Sequence, residues 1–397
     1  MATVLLVVIY TAYIGLGIPD SLFGTAWPAI YAELGLPISY ANAVTVLTCF
    51  GTITSSLLSA RIIAKLGTAL VTAFSTTLTA LALLGLSFSG NFLFICLFSV
   101  PLGFGAGAID CAQNNYVAIH YNARQMSFLH CFYGVGVSLS PFLISVGIDK
   151  SGWRQGYIYA FTVQALISIV CIIAIPLWKK AHPPVKDSGG DTEKPIAVPI
   201  TRLARDTKVL LTWCMFIFSC GIESICTAWG STYLVESVGL TPAVAARSVT
   251  LYFVGLATGR FVSGLISGKL APWRLIHIGS GILFSAIMLI ALPLNAPALK
   301  CLFLFLTGFG VGPIYPNLTY LTPIHFGKKK SAAVIGSQMA MTYVGILVIP
   351  IVFGFVAQRF SAAIFPYFNM TLFAIFFISM IMLMKKVKTS AVCDEEQ

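Results

Sequence analysis

The sequence predicts an all-α integral membrane protein, with twelve transmembrane helices arranged as two pseudo-symmetric six-helix halves. Three observations predict it. Of 397 residues, 58% are hydrophobic and 9% charged, against about 25% charged in soluble domains, and the mean hydropathy is +0.91. Twelve apolar segments can be placed, each of about 20 residues or more, the length that crosses a bilayer. The first six and the last six also repeat each other's motifs across one polar stretch.

Taken in order, the first half holds segments at about 3–32, 38–65, 68–88, 91–120, 125–147 and 154–178. The first carries Gly17-Ile18-Pro19-Asp20-Ser21, the fourth the glycine-rich run Gly103-Phe104-Gly105-Ala106-Gly107, and the fifth an intramembrane His130. Residues 179–207 mix both charge signs with Pro183-Pro184 and Ser188-Gly189-Gly190, which reads as a flexible linker. The second half holds segments at about 208–236, 243–269, 273–293, 297–325, 331–358 and 361–385. The domain reading is 1–178 and 208–387 for the halves, with a cytoplasmic tail at 388–397. The repeat is direct. Gly221-Ile222-Glu223-Ser224 answers the motif around Asp20, and Thr-Ala-Trp follows each, at 25–27 and 227–229. Gly308-Phe309-Gly310 answers Gly103-Phe104-Gly105, and His325 answers His120. Two such halves are expected to form a substrate site between them near the midplane. The glycine runs have no preceding strand, so they read as helix-packing surfaces rather than nucleotide loops.

The net charge of +11 is a topology signal. With the N-terminus inside, 18 of the 24 basic residues fall on the cytoplasmic side and 5 on the outer side, while Arg260 lies within a helix. This split follows the positive-inside rule and sets both termini in the cytoplasm. It excludes nucleic acid as a partner and makes the lipid bilayer one. The ten cysteines show no Cys-x-x-Cys pair and no metal-ligand spacing, and residues 1–9, which lack a basic n-region, are not expected to be a cleavable signal peptide.

Three carboxylates, Asp20, Asp110 and Glu223, lie within apolar segments. A charge at mid-bilayer costs at least about 2.5–3.5 kcal/mol, so such a group faces a wet cavity and carries function. In that setting a carboxyl group can exchange a proton. For Asp20 the alternative is a structural hydrogen bond to the Gly-Ile-Pro backbone, and for Asp110 a packing or gating contact. Glu223 rests on repeat symmetry with Asp20.

The run Gly17-Ile18-Pro19-Asp20-Ser21-Leu22-Phe23-Gly24-Thr25-Ala26-Trp27-Pro28 resembles the major facilitator superfamily and, within it, the fucose permease-like sugar:proton symporters. Asp110-Cys111-Ala112-Gln113-Asn114-Asn115 is similar to that family's acidic residue followed by Asn, and Leu129 to Gly136 and Tyr315-Pro316 add support. The superfamily's acidic loop signature after the second helix is reduced here to Lys65-Leu66-Gly67-Thr68, with Ala64 in the acid's place. The resemblance implies the major facilitator fold, with proton coupling and substrate contact at Asp20 and Asp110.

Sugar hydroxyls need amides and carboxylates, and sugar C–H faces need aromatic rings. Asn42, Gln113, Asn114, Asn115, Asn317 and Gln338 are candidates for the first, and Tyr133, Trp229, Tyr233, Tyr315 and Tyr343 for the second. Gln113 to Asn115 point about 100° apart on a helix, so at most two face one cavity. Any of the amides could instead join helices. His130 could relay a proton, contact substrate or simply bond a neighbouring helix. Trp27 and Trp153 fit an interfacial belt, and Arg260 fits a snorkelling or gate-pairing residue. With no second basic residue expected in the core, an anionic substrate is disfavoured.

The sequence therefore points to a monomeric, multi-pass transporter of the cell inner (plasma) membrane, not an enzyme. It is expected to couple proton flow to uptake of a neutral, sugar-like solute by rocker-switch alternating access. A proton-driven exporter of hydrophobic compounds, a sodium-coupled importer and a transporter-like sensor remain as alternatives. No cofactor is implied; the proton gradient, or sodium, supplies the driving force.

Overall fold

Apolar side chains run around nearly every helix, so the fold consists of helices whose ends are marked by proline, glycine and a few polar caps. The computed structural model describes residues 1–181, 196–294 and 296–395, and no strand occurs among them. Most of the polar stretch read as a linker (182–195) lies outside the described residues.

The helices are α1 (Ala2–Leu34), α2 (Ala41–Ser87), α3 (Phe92–His120), α4 (Ala123–Ser151), α5 (Trp153–Ile173), α6 (Ile175–Ala181), α7 (Ile200–Leu203), α8 (Thr207–Glu236), α9 (Pro242–Ile266), α10 (Pro272–Ala291), α11 (Pro297–Val311), α12 (Ile314–Phe326), α13 (Lys328–Arg359) and α14 (Phe365–Glu395). Asn91 caps α3 by accepting from the Phe94 amide, and Asp206 caps α8 by accepting from that of Lys208. Prolines begin α9, α10 and α11, where a missing amide hydrogen costs nothing.

Eleven spans among the described residues are long and apolar enough to cross a membrane, so the chain is a multi-pass membrane protein. The span over Ile38–Ser87 is 50 residues long and contains two of the predicted segments, 38–65 and 68–88. The loop expected between them is a single joint at Gly67, whose φ of 76° glycine alone adopts readily. Conversely, the predicted segment 297–325 is divided into α11 and α12 around Gly312-Pro313, because Pro313 has no amide hydrogen to carry the helix through.

The chain forms two compact units. The first comprises Met1–Tyr121, Phe128–Val198 and Phe326–Ala340. Within it α1 and α4 meet backbone to backbone. A side chain on Gly17 would strike the Tyr133 carbonyl and the Val137 amide, and one on Gly136 the Ile14 carbonyl. Ser21 Oγ donates to the Val137 carbonyl at 2.7 Å, and Ser140 Oγ donates to the Ile18 carbonyl, fastening the crossing. The start of α13 packs in the same unit: Ser331 Oγ donates to Asn115 Oδ1 at 2.6 Å. Trp27 and Trp153, expected at the lipid interface, are instead 6% and 2% exposed. Their indole nitrogens donate to the Ile38 carbonyl and to Glu33 Oε2, at 3.0 and 2.8 Å. Arg154 lies over the Trp153 ring, pairs with Glu33 and donates to the Ser89 carbonyl, tying α1, α5 and the α2–α3 connection together.

The second unit comprises Asn122–Ser127, Pro199–His325 and Met341–Gln397. Here the repeat has a physical counterpart. Gly308 lies against the Tyr252 carbonyl of α9, as Gly103 in the first unit lies against the Thr48 carbonyl of α2. The glycine runs are packing surfaces in both. Arg260 is not alone among buried cations, as the sequence had suggested. Lys300 is buried at the start of α11, where its Nζ donates to the Ile290 and Leu292 carbonyls at the end of α10.

Candidate functional site

The α1/α4 crossing decides which polar side chains can meet. Asp20 follows Gly17 by one turn and Tyr133 precedes Gly136 by one turn, so the glycine contact brings the two together, and Tyr133 Oη donates to Asp20 Oδ2. Asp20 is exposed, while Gly15 to Pro19 just before it are buried. Asp20 thus offers a carboxylate oxygen, Oδ1, to a proton or a ligand.

A second set lies in the interior of the same unit. Asp110 on α3 is 7% exposed, Tyr13 on α1 and Asn114 on α3 are each 0%, and His130 on α4 is 5%. Tyr13 Oη donates to Asp110 Oδ1 at 2.6 Å, and Asn114 Nδ2 donates to the same oxygen at 2.7 Å and to Tyr13 Oη at 2.6 Å. His130 Nε2 and Asn114 Oδ1 are 3.1 Å apart, and the imidazole meets the Tyr13 ring edge-on with centroids 5.5 Å apart. Each aspartate is therefore held by a tyrosine through one carboxylate oxygen.

The other amide candidates divide. Gln113 is fully buried, and neither atom of its amide has a hydrogen-bond partner in the chain. Asn115, 4% exposed, is engaged by Ser331. Asn42 is exposed in the first turn of α2, and Gln338 is fully buried on α13, in the first unit.

In the second unit Glu223 is half-buried on α8, and Arg260 on α9 is 7% exposed with no partner for its Nε. The Arg260 charge acts on Glu223 without an ion-pair contact between them. Asn317 on α12 donates to Ser263 Oγ at 3.0 Å and to the Pro313 carbonyl at 2.7 Å, leaving its Oδ1 without a partner. Tyr315 packs edge-on to Phe216, and Trp229 edge-on to Phe353 while donating to the Pro350 carbonyl at 3.0 Å. Tyr233 donates to the Ile290 carbonyl and stacks on Phe365, and Tyr343 is half-buried. Asp20, Asp110, Asn114, His130 and Tyr133 thus gather within the first unit, and Glu223, Trp229, Tyr315 and Asn317 belong to the second.

Tyr13 is barely marked in the sequence. Its only signal is its place seven residues, two helical turns, before Asp20, which sets both on one face of α1.

Comparison with known proteins agrees with the fold. The chain is 21% identical over 413 residues to Bypass of stop codon protein 6 of Saccharomyces cerevisiae, covering 95% of this chain and 81% of that one. It is 24% identical over 267 residues to the glucose/mannose transporter GlcP of Bacillus subtilis, covering 63% of this chain and 64% of that one. Among solved structures it is similar to the E. coli fucose:proton symporter FucP, with a TM-score of 0.77 at 16% identity, over 96% of this chain and 98% of that one. The family profile of the Major Facilitator Superfamily matches residues 9–350. With its multi-pass helical fold, that match makes this chain a small-molecule transporter rather than an enzyme: it belongs to the Major Facilitator Superfamily.

Proposed function

We propose that this transporter moves a neutral monosaccharide together with protons, driven by the proton gradient through alternating access. The observation that carries the reading is the pair of tyrosine-held aspartates in one unit, Asp20 exposed and Asp110 buried, each with one carboxylate oxygen unengaged. A carboxylate that alternates between charged and neutral forms changes the cost of exposing or closing its cavity, and this links proton uptake to conformation. Asp20 is the main protonatable group in this reading and Asp110 its partner. Gln113 is a ready hydrogen-bonding ligand for sugar hydroxyls, because its amide is buried and unmatched. Glu223 serves as a substrate acceptor or second coupling group, with Asn317, Tyr315 and Trp229 as further substrate contacts. The protein works as a monomer in the plasma membrane with both termini in the cytoplasm, and needs no bound cofactor.

The sugar relatives support the choice of solute: GlcP by name is a glucose/mannose transporter and FucP a fucose:proton symporter. The test is uptake of radiolabelled hexoses and deoxyhexoses into proteoliposomes under an imposed pH gradient, with a sodium gradient as the parallel arm. Accumulation driven by the pH gradient alone is the expected result. Accumulation only with sodium would replace the coupling ion. Proton release triggered by lipophilic cations, with no sugar accumulated, would overturn the reading in favour of an exporter.

A further inference from the structure

Tyr13 is the hub of the buried network, and its hydroxyl is fully engaged. It donates to Asp110 Oδ1 at 2.6 Å and accepts from Asn114 Nδ2 at 2.6 Å. Asn114 Nδ2 reaches the same carboxylate oxygen at 2.7 Å. Asn114 Oδ1 can only accept, so the His130 imidazole across from it carries its proton on Nε2. Side chains from α1 and α3 thus place two donors on Asp110 Oδ1, and among the described residues none is placed on Oδ2. A proton arriving at Oδ1 would confront both donors, whereas Oδ2 accepts it without breaking either bond.

We propose that Tyr13 is a positioning residue for proton coupling: with Asn114 it holds Oδ1 of Asp110 as an acceptor, directs to Oδ2 the proton that Asp110 takes up as the partner of Asp20, and sets the pH range over which coupling operates. This rests on the proton-symport reading above. The titratable groups around Asp110 are few. Asp20 on α1 acts on it through its charge, Cys111 is its sequence neighbour, and His130 on α4 reaches it through Asn114. Cys49 on α2 lies within the field of Asp20, and Tyr133 on α4 is committed to Asp20. The part of α13 in this unit presents the uncharged Ser331 to the neighbouring Asn115. Among the described residues, Tyr13 and Asn114 are the side chains that donate to Asp110.

A tyrosine that only fills space can be exchanged for phenylalanine without altering a pH profile. Tyr13→Phe keeps the ring that packs edge-on to His130 and removes only the donor. Losing a donor to the ionised carboxylate favours its protonated form. The expected result is sugar counterflow within about twofold of wild type, with the pH profile of gradient-driven accumulation displaced to alkaline pH by about one unit. A profile superimposed on wild type would overturn the proposal.

Infrared titration of the purified protein gives a second readout that needs no transport. The carbonyl stretch of the protonated Asp110 carboxyl, assigned with Asp110→Asn, should show the same alkaline displacement in Tyr13→Phe. If wild type accumulates no sugar, the transport reading fails and this titration still decides the role of Tyr13. Should Tyr13→Phe not fold, Asn114→Ala removes the companion donor. A displaced midpoint there supports the cage, and an unmoved one overturns it.

Discussion

Gly17 is the position where a single methyl group tests how the site is assembled. A Cβ there would lie 2.8 Å from the Val137 amide nitrogen and still closer to the Tyr133 carbonyl, both backbone atoms that no rotamer change can move. Ordinary contact begins at 3.4 Å, so α1 and α4 must part by more than half an ångström. Overpacking of this kind costs about 1–3 kcal/mol, and replacing glycine by alanine within a helix returns about 0.5–1 kcal/mol. Taking the middle of both ranges, the net expectation for Gly17→Ala is a loss of about 1 kcal/mol. Gly24 is the matched control: it lies on the same helix with nothing within 4 Å of the added carbon, so Gly24→Ala should be neutral or slightly stabilising. Thermal unfolding midpoints of the two variants in one detergent make the comparison. Parting the helices also loosens the Tyr133–Asp20 bond, so proton-driven uptake by Gly17→Ala should fall more than counterflow does. Equal midpoints for the two variants would refute the backbone crossing as the element that assembles the site.

Three other perturbations discriminate among the remaining contacts. Asn115→Ala and Ser331→Ala should show a coupling of about 0.5–1.5 kcal/mol in a double-mutant cycle, since they share a buried hydrogen bond; additive losses would refute the contact. The Glu33–Arg154 pair is partly exposed, at 46% and 34%. Arg154→Ala should therefore lower stability by about 1 kcal/mol at most through the pair, and added salt should shrink the difference from wild type. In the second unit, Arg260→Met should be better tolerated than Glu223→Gln, by on the order of 1–3 kcal/mol. The first removes a buried cation whose Nε is unmatched, whereas the second leaves it without its compensating charge. The reverse order in an unfolding series would contradict that account.

Hydropathy is a local property, and the membrane-spanning stretches were legible for that reason: every predicted segment is helical over most of its length. Joints were less legible. Gly67 turns the chain in one residue where the charged Arg61 and Lys65 suggest a loop, while the break at Pro313 is visible in the sequence only to a reader who weighs a proline above its apolar surroundings. The carboxylates were legible because insertion of a charge is costly whatever it touches. Their partners depend on which helix faces cross. Nothing local says that Gly17 and Gly136 bring α1 onto α4, so nothing in the apolar run around Tyr13 marks it out, and Trp27 and Trp153 read as lipid anchors although both donate hydrogen bonds within the protein. The run Gln113 to Asn115 was ambiguous by its nature, since one helical register scatters three adjacent amides. The structure gives one to Asp110, one to Ser331 and leaves one unmatched.

The central claim is that Asp20 couples proton movement to solute movement. The direct measurement compares wild type with Asp20→Asn in proteoliposomes, following hexose accumulation under a pH gradient and hexose counterflow without one. Asparagine keeps the shape of the side chain and can still accept from Tyr133, but it cannot take up and release a proton. The account predicts that Asp20→Asn loses gradient-driven accumulation and keeps counterflow. Accumulation by Asp20→Asn at the wild-type level would contradict it.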